Sequence, residues 1–319
     1  MTTTSPTPPR PNDTNPSRWH EFFDSDLFYA FRTSPVAMLS ALVSFLMIAG
    51  ALIGPFFVPQ DPFDPAALNL MDGMTPPGVP NEFTNNVFLF GTDPQGRDML
   101  SAVVYGTRVS LLVGAASVVF SMTFGVLLGL LAGYYGGKTE AIIMRVADVQ
   151  LSFPAILIAL LVFGVARGII PPAQQESATL ILLIIAIGLS NWAQYARTVR
   201  GSTLAEKDRE YVQAARVSGR SGFAIMALHI LPNVMGPITV IATINLALSI
   251  IEEATLSFLG VGMPPTQPSL GTLIRIGQQF LFSGEWWILL FPALTLIVLA
   301  LAINLLGDWL RDALNPKLR

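Results

Sequence analysis

The chain has 319 residues, of which 52% are hydrophobic and only 12% are charged, and its formal net charge is -3. Soluble domains carry about a quarter charged residues, so this chain lacks the polar surface of a protein that folds in water alone. Its acidic balance excludes the basic surface that nucleic-acid binding requires, and the absence of cysteine excludes disulfides and thiolate metal sites. The composition is typical of a protein that lies largely in a lipid bilayer.

Six apolar stretches are long enough to cross a bilayer, which needs roughly 20 apolar residues in a helix. They cover residues 36–58, 109–135, 141–165, 178–195, 234–258 and 286–306. We therefore predict an all-α membrane protein with six transmembrane helices. Residues 1–34 form a polar leader that we expect to be flexible and cytoplasmic, and residues 35–319 form the transmembrane domain. The leader is far longer than the start of a signal peptide, which argues against cleavage near the small residues at 49–51.

Lysine and arginine residues are distributed unequally along the chain. If the N-terminus lies inside, most of the 18 basic residues fall in cytoplasmic segments, and the outer segments hold only Arg97, Arg167 and Arg275. Basic residues near span ends are retained on the cytoplasmic side, so both termini are predicted to be cytoplasmic. This topology gives a long acidic outer loop at about residues 59–105 and a large cytoplasmic loop at about residues 197–233.

Glycine and proline mark special positions within the spans. Gly125, Gly129 and Gly133 recur at intervals of four in the second span, which places three residues without side chains on one face of the helix. This pattern predicts close packing against a neighbouring helix. Pro154 in the third span and Pro292 in the sixth remove backbone donors, so we expect both helices to be kinked.

Polar side chains form a stripe along the fifth span, although ionisable groups are costly inside a bilayer and commonly face a wet cavity. The members of the stripe are Asn245, Ser249, Glu252 and Glu253. No basic residue is near them in sequence, so we predict that they line a translocation path or its outer gate. Asp148 in the third span has Arg145 three residues before it, and we expect these two to pair locally. Asp308 is expected at the cytoplasmic interface.

The residue types that catalysis needs are missing or badly spaced. The two histidines, His20 and His229, exclude a paired zinc motif, and no G-x-S-x-G elbow is present. Gly137-Lys138-Thr139 matches the end of a phosphate-binding loop. However, Ala132 stands where that loop begins with glycine, and a membrane helix rather than a strand precedes it. We therefore predict no catalytic residue, no metal and no cofactor bound by this chain.

The cytoplasmic segment 208–233 is predicted to form two short helices separated by a turn. The first helix is expected to end at Ser218-Gly219, because glycine readily takes the left-handed conformation that stops a helix. Ser221 is suited to cap the second helix, and Pro232 is expected to bend or end it before the fifth span.

The first of these helices is predicted to dock into a groove of a partner protein. Ala214 and Ala215 lack bulk, so this helix can sit deep in such a groove. The predicted apolar anchor and polar rim consist of Tyr211, Val212, Glu210, Arg209 and Arg216.

This segment resembles the EAA motif of the membrane subunits of ABC importers, in the form found in dipeptide and oligopeptide permeases. The residues that match are Glu210, Val212, Ala214, Ala215, Arg216, Gly219, His229, Ile230, Leu231, Pro232 and Asn233. Gln213 stands where the motif has glutamate. Similar motifs follow the family's order elsewhere in the chain, at 91–98, 105–111, 131–137, 144–148, 152–154, 253–262 and 304–319. The resemblance extends from about residue 36 to the C-terminus.

The resemblance implies a type I importer fold and a multi-pass subunit of the bacterial inner membrane. The implied partners are a second homologous permease subunit, two cytoplasmic ATPase subunits that hold ATP and magnesium, an extracytoplasmic solute-binding protein and membrane lipid. Peptides are the implied cargo. The positions that it assigns to ATPase coupling are Glu210, Tyr211, Val212, Gln213, Ala214, Ala215, Arg216, Gly219, His229 and Pro232.

Two questions stay open from the sequence. The outer-loop residues Gly91, Asp93, Gly96, Arg97 and Asp98 would face the binding protein or help to close the outer gate, but turn formation alone explains them equally well. A secondary carrier or channel that uses the carboxylates of the fifth span with an ion gradient is the alternative function.

Overall fold

The computed structural model describes residues 26–313, and these are arranged as a helical bundle without a named strand. We number the helices in chain order. They are α1 (Asp26–Thr33), α2 (Pro35–Ile53), α3 (Met99–Tyr135), α4 (Gly137–Leu151), α5 (Ala155–Ile169), α6 (Pro172–Glu206), α7 (Glu210–Val217), α8 (Gly222–Ile225), α9 (Leu231–Phe258), α10 (Leu270–Gln278) and α11 (Trp287–Ala313). A π-helical turn at Met226–Ile230 joins α8 to α9, and short 3-10 turns punctuate the outer loops.

The first membrane helix, α2, begins close to the predicted boundary. Ser34 caps it, since its Oγ accepts a hydrogen bond from the Ala37 backbone N–H at 3.3 Å, and Pro35 occupies the first turn, where its missing N–H has no consequence. Residues 26–33, at the end of the predicted leader, form the helix α1, and residues 1–25 lie outside the described part of the chain.

The third predicted span is not a single kinked helix. It consists of α4 and α5, which meet at 101°. Pro154 stands at the start of α5, where it has no N–H to continue the hydrogen-bonding of α4, and α4 has already closed at Ser152. The expectation of a kink within one helix is therefore wrong, because the chain breaks and restarts here. Pro292, in contrast, lies within the continuous helix α11.

The glycine stripe packs as predicted. A Cβ placed on Gly125 would lie 2.5 Å from the Trp192 carbonyl oxygen, and one on Gly133 would lie 2.6 Å from the Thr203 Cβ. Gly129, between them, is equally close to α6. No larger side chain fits at these positions without moving a backbone, so the three glycines allow α3 and α6 to touch along their length.

The same contacts show how many times the chain crosses the membrane. Five described helices or helix runs are each long and apolar enough to span it, and the bent pair α4–α5 makes a sixth if it counts as one span. Gly125 contacts Trp192, and Gly133 contacts Thr203. The residue numbers therefore increase in the same direction along both helices, so α3 and α6 run parallel. The pair α4–α5 must therefore bring the chain back to the other face, which gives six crossings. This agrees with the predicted number.

The two ends of the described chain meet. The ring of Phe31, in α1, packs edge-on against the ring of Trp309, near the end of α11, with centroids 5.2 Å apart. An even number of crossings places both ends on the same side of the membrane, and this contact agrees with that. The opposite end of the bundle holds the loop between α2 and α3, and the segment from α9 to α11.

Candidate functional site

The predicted coupling segment, residues 210–233, has the expected turn. Helix α7 ends at Val217, and Gly219 has a φ of +75°. The Arg220 N–H donates to the Ala215 carbonyl at 3.2 Å, and the Gly219 N–H donates to the Arg216 carbonyl at 3.0 Å. These two hydrogen bonds form a Schellman motif, which confirms the predicted glycine stop.

The junction between this segment and α9 differs from the prediction. Ser221 caps α8 as expected, since its Oγ accepts from the Ala224 N–H at 3.3 Å. Pro232 neither ends nor interrupts the helix that follows. The π turn widens the backbone just before it, with the Leu231 N–H donating to the Met226 carbonyl, and Pro232 then falls in the first turn of α9. The coupling segment and the fifth span are thereby joined without a loop.

The face of α7 that packs inward is not the one we expected. Val212 is fully buried, and Ala215 is 8% exposed, in an apolar cluster with Ile225, Ile230 and Val234 of the same chain. Val212 therefore anchors α7 to its own subunit, which corrects the expectation that it would reach into a partner. Because Val234 belongs to α9, this cluster packs α7 directly against the fifth span.

The outward surface of the coupling segment is apolar and basic. Val217 is 89% exposed and Phe223 is 73% exposed, on either side of the glycine turn. We name this surface the coupling surface. It consists of Glu210, Tyr211, Ala214, Arg216, Val217, Arg220 and Phe223, all of them exposed. Sequence reasoning missed Val217 and Phe223, although Val217, a hydrophobic residue two positions before Gly219, was a usable signal.

The remaining residues predicted for ATPase coupling are held by local contacts. The Tyr211 hydroxyl donates to Glu206 at 2.5 Å and accepts from the Asn233 side chain at 3.2 Å. Partial burial raises the pKa of Tyr211, and the hydrogen bond to Glu206 raises it further, so the phenol stays neutral. Gln213 is half-buried, and the Nε2 of His229 is buried without a hydrogen-bond partner within residues 26–313. The His229 carbonyl accepts from Asn233 at 2.7 Å.

The polar stripe of the fifth span leads into a buried hydrogen-bond cluster. Glu253 is fully buried, and its carboxylate accepts from Ser110 Oγ of α3 and from Ser257 Oγ, each at 2.7 Å. Ser110 in turn accepts from the Leu270 N–H at 3.3 Å, and Ser257 accepts from the Met263 N–H at 3.1 Å. We call these five residues the Glu253 cluster. It fastens α3, α9 and the start of α10 to one another.

The other members of the stripe lie around this cluster. Asn245 and Ser249 are almost fully buried, and the Asn245 Nδ2 has no hydrogen-bond partner in the described part of the chain. Glu252 is half-buried on a neighbouring face of α9 and accepts from the Asn191 side chain of α6 at 2.9 Å. Only Glu252 among the four is open to solvent or to a second subunit, so it is the member best placed to face a path.

The predicted outer-loop residues form a buried turn. Asp93 accepts from the Gln95 N–H at 2.8 Å, from the Arg97 N–H at 3.0 Å and from the Arg97 Nε at 2.7 Å. The Arg97 guanidinium also donates to the Pro265 carbonyl at 2.9 Å, although Pro265 belongs to the segment after α9. We call Asp93, Arg97 and Pro265 the outer clamp. Both charged members are only 2% exposed, so they are closed to an external partner.

The last of the predicted outer-loop residues, Asp98, caps the N-terminus of α3. Its carboxylate accepts a hydrogen bond from the Ser101 N–H at 2.9 Å. Gly91 and Gly96 have positive φ, and a Cβ on Gly96 would lie 2.1 Å from the Asn69 carbonyl oxygen. Turn formation and close packing account for all five predicted outer-loop residues, so the geometry favours this interpretation over contact with a binding protein.

Asp148 pairs with a different residue from the one predicted. Its carboxylate is hydrogen-bonded to Arg197 of α6 rather than to Arg145, and both partners are about half exposed. A second ion pair joins Glu140 of α4 to Arg200 of α6. These pairs hold α4 against α6 at the same end of the bundle as the coupling surface. Asp308 is exposed near the end of α11.

Comparison with known proteins places the chain among transport proteins. The family model for the binding-protein-dependent transport system inner membrane component matches residues 125–319. The model for the N-terminal TM domain of oligopeptide transport permease C matches residues 17–77, which begins earlier than the motif resemblance. The MetNI methionine ABC transporter, solved in inward-facing conformations, has a similar fold. Its TM-score is 0.52 at 21% identity, over 68% of this chain and 98% of that one.

Curated relatives match over almost their whole length. The chain is 35% identical to the dipeptide transport system permease protein DppC of Haemophilus influenzae, over 92% of this chain and 95% of that protein. It is 36% identical to the di/tripeptide transport system permease protein DppC of Pseudomonas aeruginosa, over 95% and 94%. It is also 35% identical to the glutathione transport system permease protein GsiD of Pectobacterium atrosepticum, over 94% and 92%. The chain therefore belongs to the dipeptide and oligopeptide permease family of binding-protein-dependent inner membrane components, with the type I importer fold.

Proposed function

We propose that this chain is one of two permease subunits of an ATP-driven importer that takes up peptides delivered by an extracytoplasmic binding protein. The observation that carries the proposal is the near-full-length match to dipeptide and di/tripeptide permeases at 35% and 36% identity. The six crossings and the exposed coupling surface support it. A second permease subunit would complete the path, and two cytoplasmic ATPases would drive it.

The coupling surface is the proposed contact with an ATPase. Val217 and Phe223 stand exposed beside Arg216 and Arg220, which is the mixture of apolar anchors and arginine that protein interfaces favour. Burying each apolar side chain in a groove contributes about 1.5–3 kcal/mol. Gly219 brings the two anchors together by turning the chain between them.

Force on this surface would be passed to the fifth span by packing. Val212 and Ala215 of α7 share one buried cluster with Val234 of α9, and no loop separates α8 from α9. A movement of α7 therefore displaces α9 as well. Since an ATPase that binds one conformation of α7 more tightly shifts the whole subunit toward that conformation, this packing supplies the coupling.

We further propose that ATP and magnesium are bound by the partner subunits and not by this chain. Gly137-Lys138-Thr139, the sequence that resembles a phosphate loop, begins helix α4 one residue after α3 ends. A phosphate cradle needs a strand and a glycine-rich loop before such a helix, and two helices joined by Gly136 provide neither.

The orientation proposed for the membrane follows from the basic residues. Arg197, Arg200, Arg216 and Arg220 all lie toward the end of the bundle where α1 meets α11. Basic residues at span ends are retained in the cytoplasm, so this end would be cytoplasmic, together with both termini. The loop between α2 and α3 would then face the binding protein.

Uptake by the reconstituted transporter tests the proposed function. The chain would be assembled in proteoliposomes with its second permease subunit, both ATPases and the binding protein, and uptake of labelled dialanine would be measured. We expect uptake to require both ATP and the binding protein. Uptake that continues without ATPase subunits but stops when the proton gradient is collapsed would instead identify a secondary carrier.

A further inference from the structure

A polar cleft of about 370 Å³ lies at the outer end of the bundle, within the range of about 300–1,000 Å³ that small-molecule sites occupy. It is bounded on one side by the end of α5 and the start of α6, and on the other by residues 260–266 and α10. Its polar lining residues are Arg167, Gln175, Glu176, Thr179, Thr266 and Arg275. The cleft adjoins the two sites described above, since its other lining residues include Met263 of the Glu253 cluster and Pro265 of the outer clamp.

The basic residues of the outer segments converge on this cleft. Only Arg97, Arg167 and Arg275 fall in those segments by the topology above. Arg97 is neutralised by Asp93 within the outer clamp, with an Nε to Oδ2 distance of 2.7 Å. The other two both line the cleft. The surrounding outer loop is acidic, whereas this cleft brings two arginines together beside one carboxylate, Glu176.

Arg275 has a buried donor without a partner among the described residues. Its Nε is buried and has no hydrogen-bond partner among residues 26–313, which is unfavourable for a charged donor. The same side chain lines a second cavity on the other side of Pro265. Arginine presents donors in a planar fork that matches a carboxylate with two parallel hydrogen bonds. The side chain as a whole is half-buried and lines the cleft, so its terminal nitrogens, rather than the buried Nε, are the donors that a carboxylate in the cleft would meet.

The cleft also contains a negative group. Glu176 is exposed, and one of its carboxylate oxygens accepts a hydrogen bond from the Thr266 hydroxyl, which fixes the side chain against the opposite wall. Arg167 is oriented in a similar way, because its Nε donates to the Gln175 side chain at 3.1 Å. Two guanidinium groups and one carboxylate thus lie around one small space. This charge pattern is complementary to a zwitterion rather than to a simple anion.

We propose that this cleft binds a free zwitterionic peptide, with its terminal carboxylate on Arg275 and Arg167 and its terminal ammonium on Glu176. The proposal rests on the proposed function, since peptides are the cargo. It adds a recognition site on the permease itself, which binds the two charged termini of the peptide and does not contact its side chains. Such a site suits a transporter of short peptides of varied sequence, because every one of them carries the same two charges.

Peptide binding to the complete complex tests this site. The permease pair with its ATPases would be placed in nanodiscs without the binding protein, and three probes would be titrated: dialanine, N-acetyl-dialanine and dialanine amide. We expect each blocked probe to bind at least about tenfold more weakly, because a charge-assisted hydrogen bond contributes roughly a factor of ten or more. Arg275→Gln should remove the preference for the free carboxylate, and Glu176→Gln should remove the preference for the free ammonium.

The controls separate this proposal from its alternatives. Glu82→Gln changes an exposed carboxylate elsewhere in the outer loop and should leave all three affinities unchanged. Wild-type complex that does not distinguish the three probes, or an Arg275→Gln variant that keeps the full preference, would overturn the proposal. In a second assay the binding protein would be added and its docking measured; if Arg275→Gln weakens this docking but leaves the probe preferences unchanged, the cleft is a protein contact and the proposal is wrong. Uptake of dialanine that needs ATP and binding protein, without the probe preferences, would leave the proposed function intact and remove only the cleft.

Discussion

The outer end of the bundle is fastened by buried polar side chains, whereas its coupling end presents apolar and basic side chains outward. At the outer end, Asp93 and Arg97 are each 2% exposed and join two loops that are far apart in sequence. At the other end, Val217 and Phe223 are 89% and 73% exposed. Buried ion pairs tolerate little change in geometry, while exposed apolar groups gain stability only from a partner.

This difference predicts a rigid outer end and a more mobile coupling end. The outer clamp and the Glu253 cluster hold α3, α9 and α10 as one unit, so the outer half of the subunit is expected to move as a rigid body. The coupling surface is linked to α9 through apolar packing, a π turn and one exposed hydrogen bond from Asn233 to Tyr211, which allow small sliding movements. Movement of the coupling surface by an ATPase would then rotate α3, α9 and α10 together at the outer end.

The largest effect is expected from breaking the outer clamp. Asp93→Ala leaves the buried Arg97 without its carboxylate, a change that costs about 3–5 kcal/mol in buried ion pairs. We expect little folded protein in the membrane and a lower aggregation temperature for the solubilised complex. Asp64→Ala removes an exposed carboxylate from the same loop and is the matched control. Equal stability of the two variants would show that the outer end is not fastened in this way.

The Glu253 cluster should give the next largest effect. Glu253→Ala removes the acceptor for Ser110 and Ser257, and we expect a loss of about 1–3 kcal/mol, because serine hydroxyls in helices can turn back to their own carbonyls. Thermal unfolding of the complex, followed by tryptophan fluorescence, measures this. Glu252→Ala removes a neighbouring carboxylate that has one hydrogen bond, so it should destabilise less. The reverse order would contradict the assignment of Glu253 as the fastening residue.

Local features of both ends were predictable from the sequence, but long-range partners were not. The helix end at Gly219 and the helix cap at Asp98 both depend on residues within one turn. The sequence predicted the helix end, and it predicted a turn at Asp98 without identifying the cap. Glu253 bonds to Ser110, 143 positions away, and Asp148 to Arg197, 49 positions away. These partners are set by how helices are arranged, which a local pattern does not contain.

The face of a short helix is equally hard to predict. Helix α7 has only eight residues, so Val212 and Val217 are both plausible anchors by spacing alone. The structure buries Val212 because the segment that follows Gly219 folds back over it, and it leaves Val217 outside. The break in the third span was missed for a related reason. A proline kinks or ends a helix depending on what packs against its neighbours.

A coupling-surface variant tests the other side of the comparison. The double change Val217→Asp and Phe223→Asp should leave the subunit folded, since both side chains are exposed, but should weaken the ATPase contact. Loss of two anchors, each contributing about 1.5–3 kcal/mol, predicts a fall in affinity of about 100-fold or more. Copurification of the ATPases and ATP-dependent uptake would both be measured.

The control for this variant comes from the outer end. Val87→Asp places the same charge at an exposed valine of the outer loop, 59% exposed, and should leave ATPase copurification unchanged. Normal copurification by the double variant would show that the exposed apolar pair is not the ATPase contact. Loss of copurification by both variants would indicate that added charge, rather than position, causes the effect.

The smallest effect is expected from the ion pairs between α4 and α6. Arg197→Gln removes the partner of Asp148, but both side chains are 56% exposed, and exposed pairs contribute about 0–1 kcal/mol. Arg200→Gln should cost somewhat more, because its partner Glu140 is 23% exposed. Both effects should shrink in about 1 M salt, where the screening length is about 3 Å, whereas the loss in Asp93→Ala should persist because its pair is buried. Unfolding temperatures at low and high salt would measure this. A salt-insensitive loss in Arg197→Gln as large as that of Asp93→Ala would mean that this end is also fastened by its charges.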